Sequence, residues 1–233
     1  TYRSLPLNGE SIFVRGTGYN RVDKWTALGD SHTFGDGYQN VAMRSTNIIG
    51  DYVGMGRNGS TISSSLNFSF YSRFVTDDAL GVGGIAEGTT LLTIYGGTND
   101  YAVSNGQALG TLDTNGSPYT TTTTIGALQS IIEYCYTTDP TIRILIVTPL
   151  HNFDAYSIGA TPFTDVANVA GFTLQQYVDG IKSVADFYKI PVLDLDENLG
   201  INSLNLTSFM TDATHLNDAG KSISGHLIGE FIK

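Results

Sequence analysis

Trp25-Thr26-Ala27-Leu28-Gly29-Asp30-Ser31 runs from four mostly apolar residues into a Gly-Asp pair and then a serine. The apolar part is too short for a helix and shows no polar alternation, so it reads as a strand buried on both faces of a parallel sheet. Ser31 then falls in the turn beyond the strand's carboxyl end. The same pattern recurs at Thr90–Tyr95, Ile142–Val147 and Ile190–Leu195, and more weakly at Tyr52–Met55.

Helical spacing fills the intervals. Ile125, Leu128, Ile131, Ile132 and Cys135 form one stripe, and Leu174, Tyr177, Val178, Ile181, Val184, Ala185 and Tyr188 form another. Asn217 is placed to cap a last helix whose Ile223, Leu227 and Phe231 share a face. Strands alternating with helices predict an α/β three-layer sandwich around a parallel sheet of about five strands. Residues 101–124 and 151–165 read as long polar loops after strand ends, where open α/β sheets place their ligand crevice. Residues 1–24 read as an N-terminal arm or linker remnant, and residues 25–233 as one α/β domain.

Composition narrows the function. The 233 residues carry a formal charge of −10 with Lys and Arg unclustered, which argues against nucleic acid or anionic lipid as a partner. The lone Cys135 cannot form an intrachain disulfide, and on a helical apolar stripe it reads as a buried structural thiol. No stretch approaches the roughly 20 apolar residues of a membrane span, so a soluble mature chain is expected. The chain opens at Thr1 rather than Met, and the expectation is a processed product or a piece of a longer protein. Richness in Ser, Thr, Asn, Gly and Tyr with little Lys suits an extracellular or virion-surface location. Oligomeric state is left open.

Three polar motifs stand where apolar strands run out: Gly29-Asp30-Ser31, Gly96-Gly97-Thr98-Asn99-Asp100, and Asp212-Ala213-Thr214-His215. A serine hydroxyl becomes a nucleophile when a base takes its proton and donors stabilise the oxyanion that follows. His215 is the candidate base. Asp212, three residues earlier, can accept from the other imidazole nitrogen. Asn99 brings an amide donor to a strand end. Each residue has a structural reading: Ser31 and Asp212 as caps, Asn99-Asp100 as a turn. His32 beside Asp30 and Asp36, and His151 near Asp154, lack a clear ligand set, so neither metal nor organic cofactor is expected.

These motifs resemble the SGNH, or GDSL-type, serine hydrolase family from Gly29 to the last helix. Gly29-Asp30-Ser31 with Gly35 looks like the first block, Gly59-Ser60-Thr61 the second, Gly97-Thr98-Asn99-Asp100 the third and Asp212-x-x-His215 the last. The resemblance implies a flavodoxin-like sheet of order 2-1-3-4-5. It also implies Ser31 as nucleophile, Asp212 and His215 as the rest of a triad, and an oxyanion hole from the N–H groups of Ser31 and Gly59 with the Asn99 side chain. Gly54 stands where such families often carry Asn, which leaves Gly56 as a competing donor to Gly59. His32 replaces the common Leu or Ile after the serine, and Thr33 breaks the G-x-S-x-G elbow of ordinary α/β-hydrolases.

The activity expected is hydrolysis of a short-chain, acetyl-type ester through an acyl-enzyme, on a carbohydrate or polysaccharide. The polar loops carry Tyr101, Tyr119, Phe153, Tyr156 and Phe163, rings suited to sugar faces, and neither loop reads as a lipid-binding lid. Arg57, Asn58, Tyr101 and His151 are the candidate substrate contacts. The alternatives are a lipase or thioesterase with the same triad, and a non-catalytic glycan-binding or structural module of a surface or phage tail protein.

Overall fold

The structure is a computed structural model that describes residues 6–7, 10–11, 22–46, 49–66, 68–76, 84–102, 104–150, 166–202 and 204–233. Its central sheet holds β1 (Val22–Gly29), β2 (Ile49–Gly56), β3 (Leu91–Tyr95), β4 (Arg143–Val147) and β5 (Val192–Leu193), all parallel, in the order β2-β1-β3-β4-β5. This is the flavodoxin-like 2-1-3-4-5 arrangement. The strand order reverses at β1, so the carboxyl ends of three strands lie abreast: Gly29 is in register with Gly56 on one side and Tyr95 on the other. That juxtaposition is where a doubly wound sheet opens a crevice.

Side chains alternate between two cores, as the period of a strand demands. Leu92, Ile94, Ile144 and Ile146 face α2 (Thr124–Thr138) and α3 (Leu174–Tyr188). Leu91, Tyr95, Leu145 and Val147 face the opposite layer, built from α1 (Gly37–Thr46) and α4 (Asp218–Ile232). Each fully buried Leu or Ile contributes roughly 1.5–3 kcal/mol, which makes these stripes the main stabilising element. Trp25 is wholly buried in the second core and donates its indole N–H to Thr93 Oγ1 at 3.0 Å. Cys135 is buried in the first.

Local chemistry fixes the helix ends. Thr123 accepts from Gly126 N–H, and Thr173 forms a reciprocal capping box with Gln176. Asn217 Oδ1 accepts from Ala219 and Gly220 N–H, the cap expected from sequence. Among the described residues no helix is long and apolar enough to cross a membrane.

Three details depart from the sequence reading. β1 begins at Val22, paired with Ile49, so residues 22–24 belong to the sheet rather than to an arm. The last strand is only Val192–Leu193, because the Asp194 carboxylate accepts from Thr148 Oγ1 and Glu197 N–H and starts a short helix, Leu195–Asn198. Helix α1 has no counterpart in the apolar spacing. It packs on α4 through small residues: a Cβ at Gly225 would stand 2.5 Å from Tyr38 O, and one at Gly229 2.6 Å from Ser45 Oγ.

Candidate active site

Beyond Gly29 the chain folds back on itself. Thr33 and Phe34 N–H both donate to Asp30 O, and His32 N–H donates to Asp30 Oδ1 at 2.9 Å. This turn lifts Ser31 over the sheet edge. The Ser31 N–H has no acceptor among the described residues.

His215 comes from the far end of the chain. Met210 and Leu216 bridge, and Thr211 N–H donates to His215 O at 2.7 Å, closing a tight loop immediately before α4. Inside it Asp212 Oδ1 accepts from Thr214 N–H at 2.8 Å and from His215 N–H at 2.6 Å. Asp212 Oδ2 lies 2.9 Å from His215 Nδ1, and His215 Nε2 lies 3.0 Å from Ser31 Oγ. Partial burial raises the Asp212 carboxyl, but the N–H groups of His215 and Thr214 and the imidazole outweigh it and hold Asp212 below the ordinary carboxylate range. A carboxylate facing Nδ1 selects the tautomer protonated there, which leaves Nε2 to accept the Ser31 hydroxyl proton.

Across Ser31 stand the second and third blocks. Gly56 sits in the β-ladder opposite Gly29, and a Cβ there would be 2.3 Å from Phe34 N; its glycine is required by the close approach of the Ser31 turn. Gly59 is exposed, has φ +70°, and meets nothing within 4 Å of where a Cβ would be. Its N–H has no acceptor among the described residues. Asn99 Nδ2 donates to Ser60 O at 3.0 Å and reaches Asp30 Oδ2 only at 3.5 Å, so one amide hydrogen is weakly engaged. Asp100 is fully buried and accepts from Ile62 and Ser63 N–H and from Thr124 Oγ1, tying the segment after Gly59 to the helix layer. The Ser31 and Gly59 N–H groups are thus without acceptors among the described residues, and Asn99 keeps one amide hydrogen weakly engaged.

Two spaces adjoin these groups. A cavity of about 290 Å³ is lined by Ser31, His215, His32, Tyr95, Lys221 and Ser224 among others. A larger groove of about 800 Å³ runs past Phe34, Met55, Arg57 and Asn58. Arg57 and Asn58 are both exposed on its rim, and the Arg57 guanidinium lies 3.5 Å from the centroid of the Phe68 ring.

Tyr101 corrects an expectation. It is buried rather than presented to a ligand: its ring packs against Tyr177 in the first core and its hydroxyl donates to Val166 O at 2.7 Å. The motif's own short helix, Thr98–Tyr101, turns the ring inward. Tyr119 is bound to Glu133 and Tyr188 on the two helices. His151, Phe153, Tyr156 and Phe163 lie outside the described residues. Exposed His226 takes no part.

Burial shapes the remaining titratable groups. Desolvation raises the Asp30 carboxyl to about 7, opposed by the His32 N–H and reinforced by nearby Asp100. Desolvation, with His215 nearby, lowers the His32 imidazole to about 3, so that ring is neutral. It stacks on Tyr95 at 5.5 Å and stands 5.4 Å from the His215 ring, and its Nε2 is buried without a partner among the described residues. A neutral aromatic support behind the candidate base is what the leucine-to-histidine departure produces. Among the described residues no three His, Cys, Asp or Glu side chains converge as a metal set.

A serine–histidine–aspartate relay set beside N–H donors on a flavodoxin-like sheet defines a class of hydrolytic site. The chain belongs to the GDSL-like lipase/acylhydrolase family, whose model matches residues 27–223, and so to a family of ester hydrolases. It is similar in structure to a protein from Lactobacillus plantarum, 24% identical, with 91% of this chain and 96% of that one covered and a TM-score of 0.71. It is also similar to a lipase/acylhydrolase from Enterococcus faecalis, 16% identical over 90% of this chain and 95% of that one, TM-score 0.58. A carbohydrate acetylesterase from Sinorhizobium meliloti is 15% identical over 90% of this chain and 98% of that one, TM-score 0.59. No curated protein matches the sequence.

Proposed function

We propose that the chain is a serine esterase that cleaves short-chain, acetyl-type esters of carbohydrates through a covalent acyl-enzyme. The observation that carries this is the 3.0 Å approach of His215 Nε2 to Ser31 Oγ, with Asp212 on the other imidazole nitrogen. In this reading His215 takes the Ser31 hydroxyl proton as Oγ attacks the ester carbonyl. The tetrahedral oxyanion is received by the N–H groups of Ser31 and Gly59 and the Asn99 amide. His215 then returns the proton to the leaving alkoxide, and the alcohol departs. Water, activated by the same imidazole, attacks the acyl-Ser31 carbonyl; collapse frees the acid and restores the hydroxyl. Asp212 stays ionised throughout, orienting and stabilising the imidazolium.

The cavity beside Ser31, only about 290 Å³, favours a short acyl group over a fatty chain. The Sinorhizobium meliloti acetylesterase supports the carbohydrate assignment by analogy of fold alone. Arg57 and Asn58 are the proposed contacts to the substrate's distal part, and an extracellular or virion-surface location belongs to the same reading. A p-nitrophenyl ester series graded by acyl length, run beside acetate release from acetylated glycans, tests it. Fastest turnover on acetyl esters with acetate release is expected; a preference for long chains, or no turnover of any ester, contradicts it.

A further inference from the structure

Arg73 sits in an aromatic-rich run, Phe68-Ser69-Phe70-Tyr71-Ser72-Arg73-Phe74, on a single-turn π-helix, Ser72–Thr76. A cation there would ordinarily reach for water, yet only 8% of this residue is exposed. Its guanidinium is spent entirely on neutral oxygens around the candidate site. Nε donates to Phe68 O at 3.0 Å, Nη1 to Met55 O at 2.8 Å, and Nη2 to both Gly29 O at 3.1 Å and Ser60 Oγ at 3.0 Å.

Those four acceptors are not a random sample of the neighbourhood. Gly29 ends the strand that delivers Ser31, and Met55 lies at the end of the adjacent strand. Ser60 follows Gly59, the proposed oxyanion donor. Ser60 Oγ in turn donates to Phe68 O at 2.7 Å, and Ser60 O accepts the firm hydrogen bond of Asn99 Nδ2. One planar fork thus ties the floor beneath the nucleophile to the residue that fixes both remaining donors of the proposed hole.

We infer that Arg73 is a positioning residue that holds Ser60, and through it Gly59 N–H and the Asn99 amide, at the spacing the oxyanion requires. This rests on the esterase reading and goes beyond it by assigning a role to a residue outside the four motif blocks. The geometry calls for an arginine. A lysine ammonium is a point donor and cannot meet four oxygens spread over three segments, whereas the guanidinium presents five N–H groups in a fixed plane. Burial and then nearby Arg57 lower its affinity for a proton to about 10, with Asp30 opposing, so it remains cationic at neutral pH. A fixed positive charge under the hole also favours the anionic transition state over the neutral ester.

A positioning role predicts a loss in kcat rather than in KM, since the loop meets charge only after attack has begun. Arg73→Lys is expected to lower kcat by about 10- to 10²-fold with KM within about twofold, the scale at which a misplaced group costs rate. Ser60→Ala, which cuts the link while leaving Arg73 its bonds to Gly29, Met55 and Phe68, is the second variant should Arg73→Lys fold poorly; its kcat falls in the same sense with melting temperature near the parent's. In an Asn99→Ala background Arg73→Lys costs far less than in the parent, because both act on one oxyanion. An active parent whose Arg73→Lys and Ser60→Ala variants keep kcat, or whose losses multiply fully with Asn99→Ala, overturns this inference alone. A parent inactive on every ester overturns the esterase reading, and this assignment with it.

Discussion

Ser31 Oγ and His215 Nε2 stand 3.0 Å apart although 184 residues separate them. Two unrelated local structures produce this contact: a turn gathered on Asp30 O, and a tight loop closed by Thr211 N–H on His215 O. Each is closed by its own backbone hydrogen bonds, so single changes at Ser31 or His215 are expected to leave the fold intact.

His215 and Asp212 should not be equivalent. Both side chains are about half exposed, 44% and 54%, so water can partly replace the carboxylate's orienting role but not the imidazole's proton transfer. His215→Ala is expected to lose roughly 10- to 10²-fold more kcat than Asp212→Ala, the sort of gap seen between base and acid in other triads. Steady-state kinetics on an acetyl ester checks the ranking; equal losses would deny Asp212 its secondary part.

Asn99 is placed to donate, and its surroundings punish an acceptor. Asn99→Ala should cost roughly 10²–10³-fold in kcat with little change in KM. Asn99→Asp should be worse in both rate and melting temperature, since it brings a carboxylate against Ser60 O and the buried Asp30. An active, stable Asp variant would remove Asn99 from the hole.

Gly56 and Gly59 make separable predictions. Gly56→Ala drives a methyl into Phe34 N at 2.3 Å and should lower global stability. Gly59→Ala meets no neighbour but must hold φ near +70°, a strain of about 1–2 kcal/mol for an L-residue. It should therefore keep the fold, shift the loop and lower kcat. Thermal melts beside kinetics distinguish the two, and an unchanged kcat in Gly59→Ala argues for a different donor.

His32 should make the fold acid-sensitive. Burial first, then His215 and Lys221, lower its imidazole to about 3, with Asp212 opposing, while an unfolded histidine titrates near ~6.5. Below that pH the unfolded chain takes up a proton the folded chain refuses, so stability falls as pH drops from about 6.5 towards about 3. His32→Leu removes this uptake and should gain on the parent by about 1.4 kcal/mol per pH unit in that window. Urea melts at pH 7.5, 5.5 and 4.5 measure the gap; a constant difference would mean the ring is not buried neutral.

Much of this was legible in sequence because parallel strands are buried on both faces. Trp25–Leu28 and Thr90–Tyr95 read as apolar runs whose ends mark the crevice, and the strand order sets Gly29, Gly56 and Tyr95 abreast. Helix α1 was not legible: Gly37-Tyr38-Gln39-Asn40-Val41-Ala42 owes its helix to packing on Gly225 and Gly229, which leaves little periodic apolar signal. Tyr101 misled because an aromatic beside a site motif resembles a ligand contact, whereas a short helix turns it into the core. Arg73 was passed over since a charge in a sequence reads as surface, and only the strand-end carbonyls it meets reveal otherwise.

The central claim is that Ser31 is the nucleophile of an esterase. The most direct measurement is mass spectrometry of the parent after reaction with a serine-directed fluorophosphonate, paired with acetyl-ester hydrolysis by parent and Ser31→Ala. The account predicts one phosphonyl adduct, on Ser31, and a folded Ser31→Ala protein that neither labels nor turns over ester. Labelling at another serine, or hydrolysis surviving in Ser31→Ala, would contradict it.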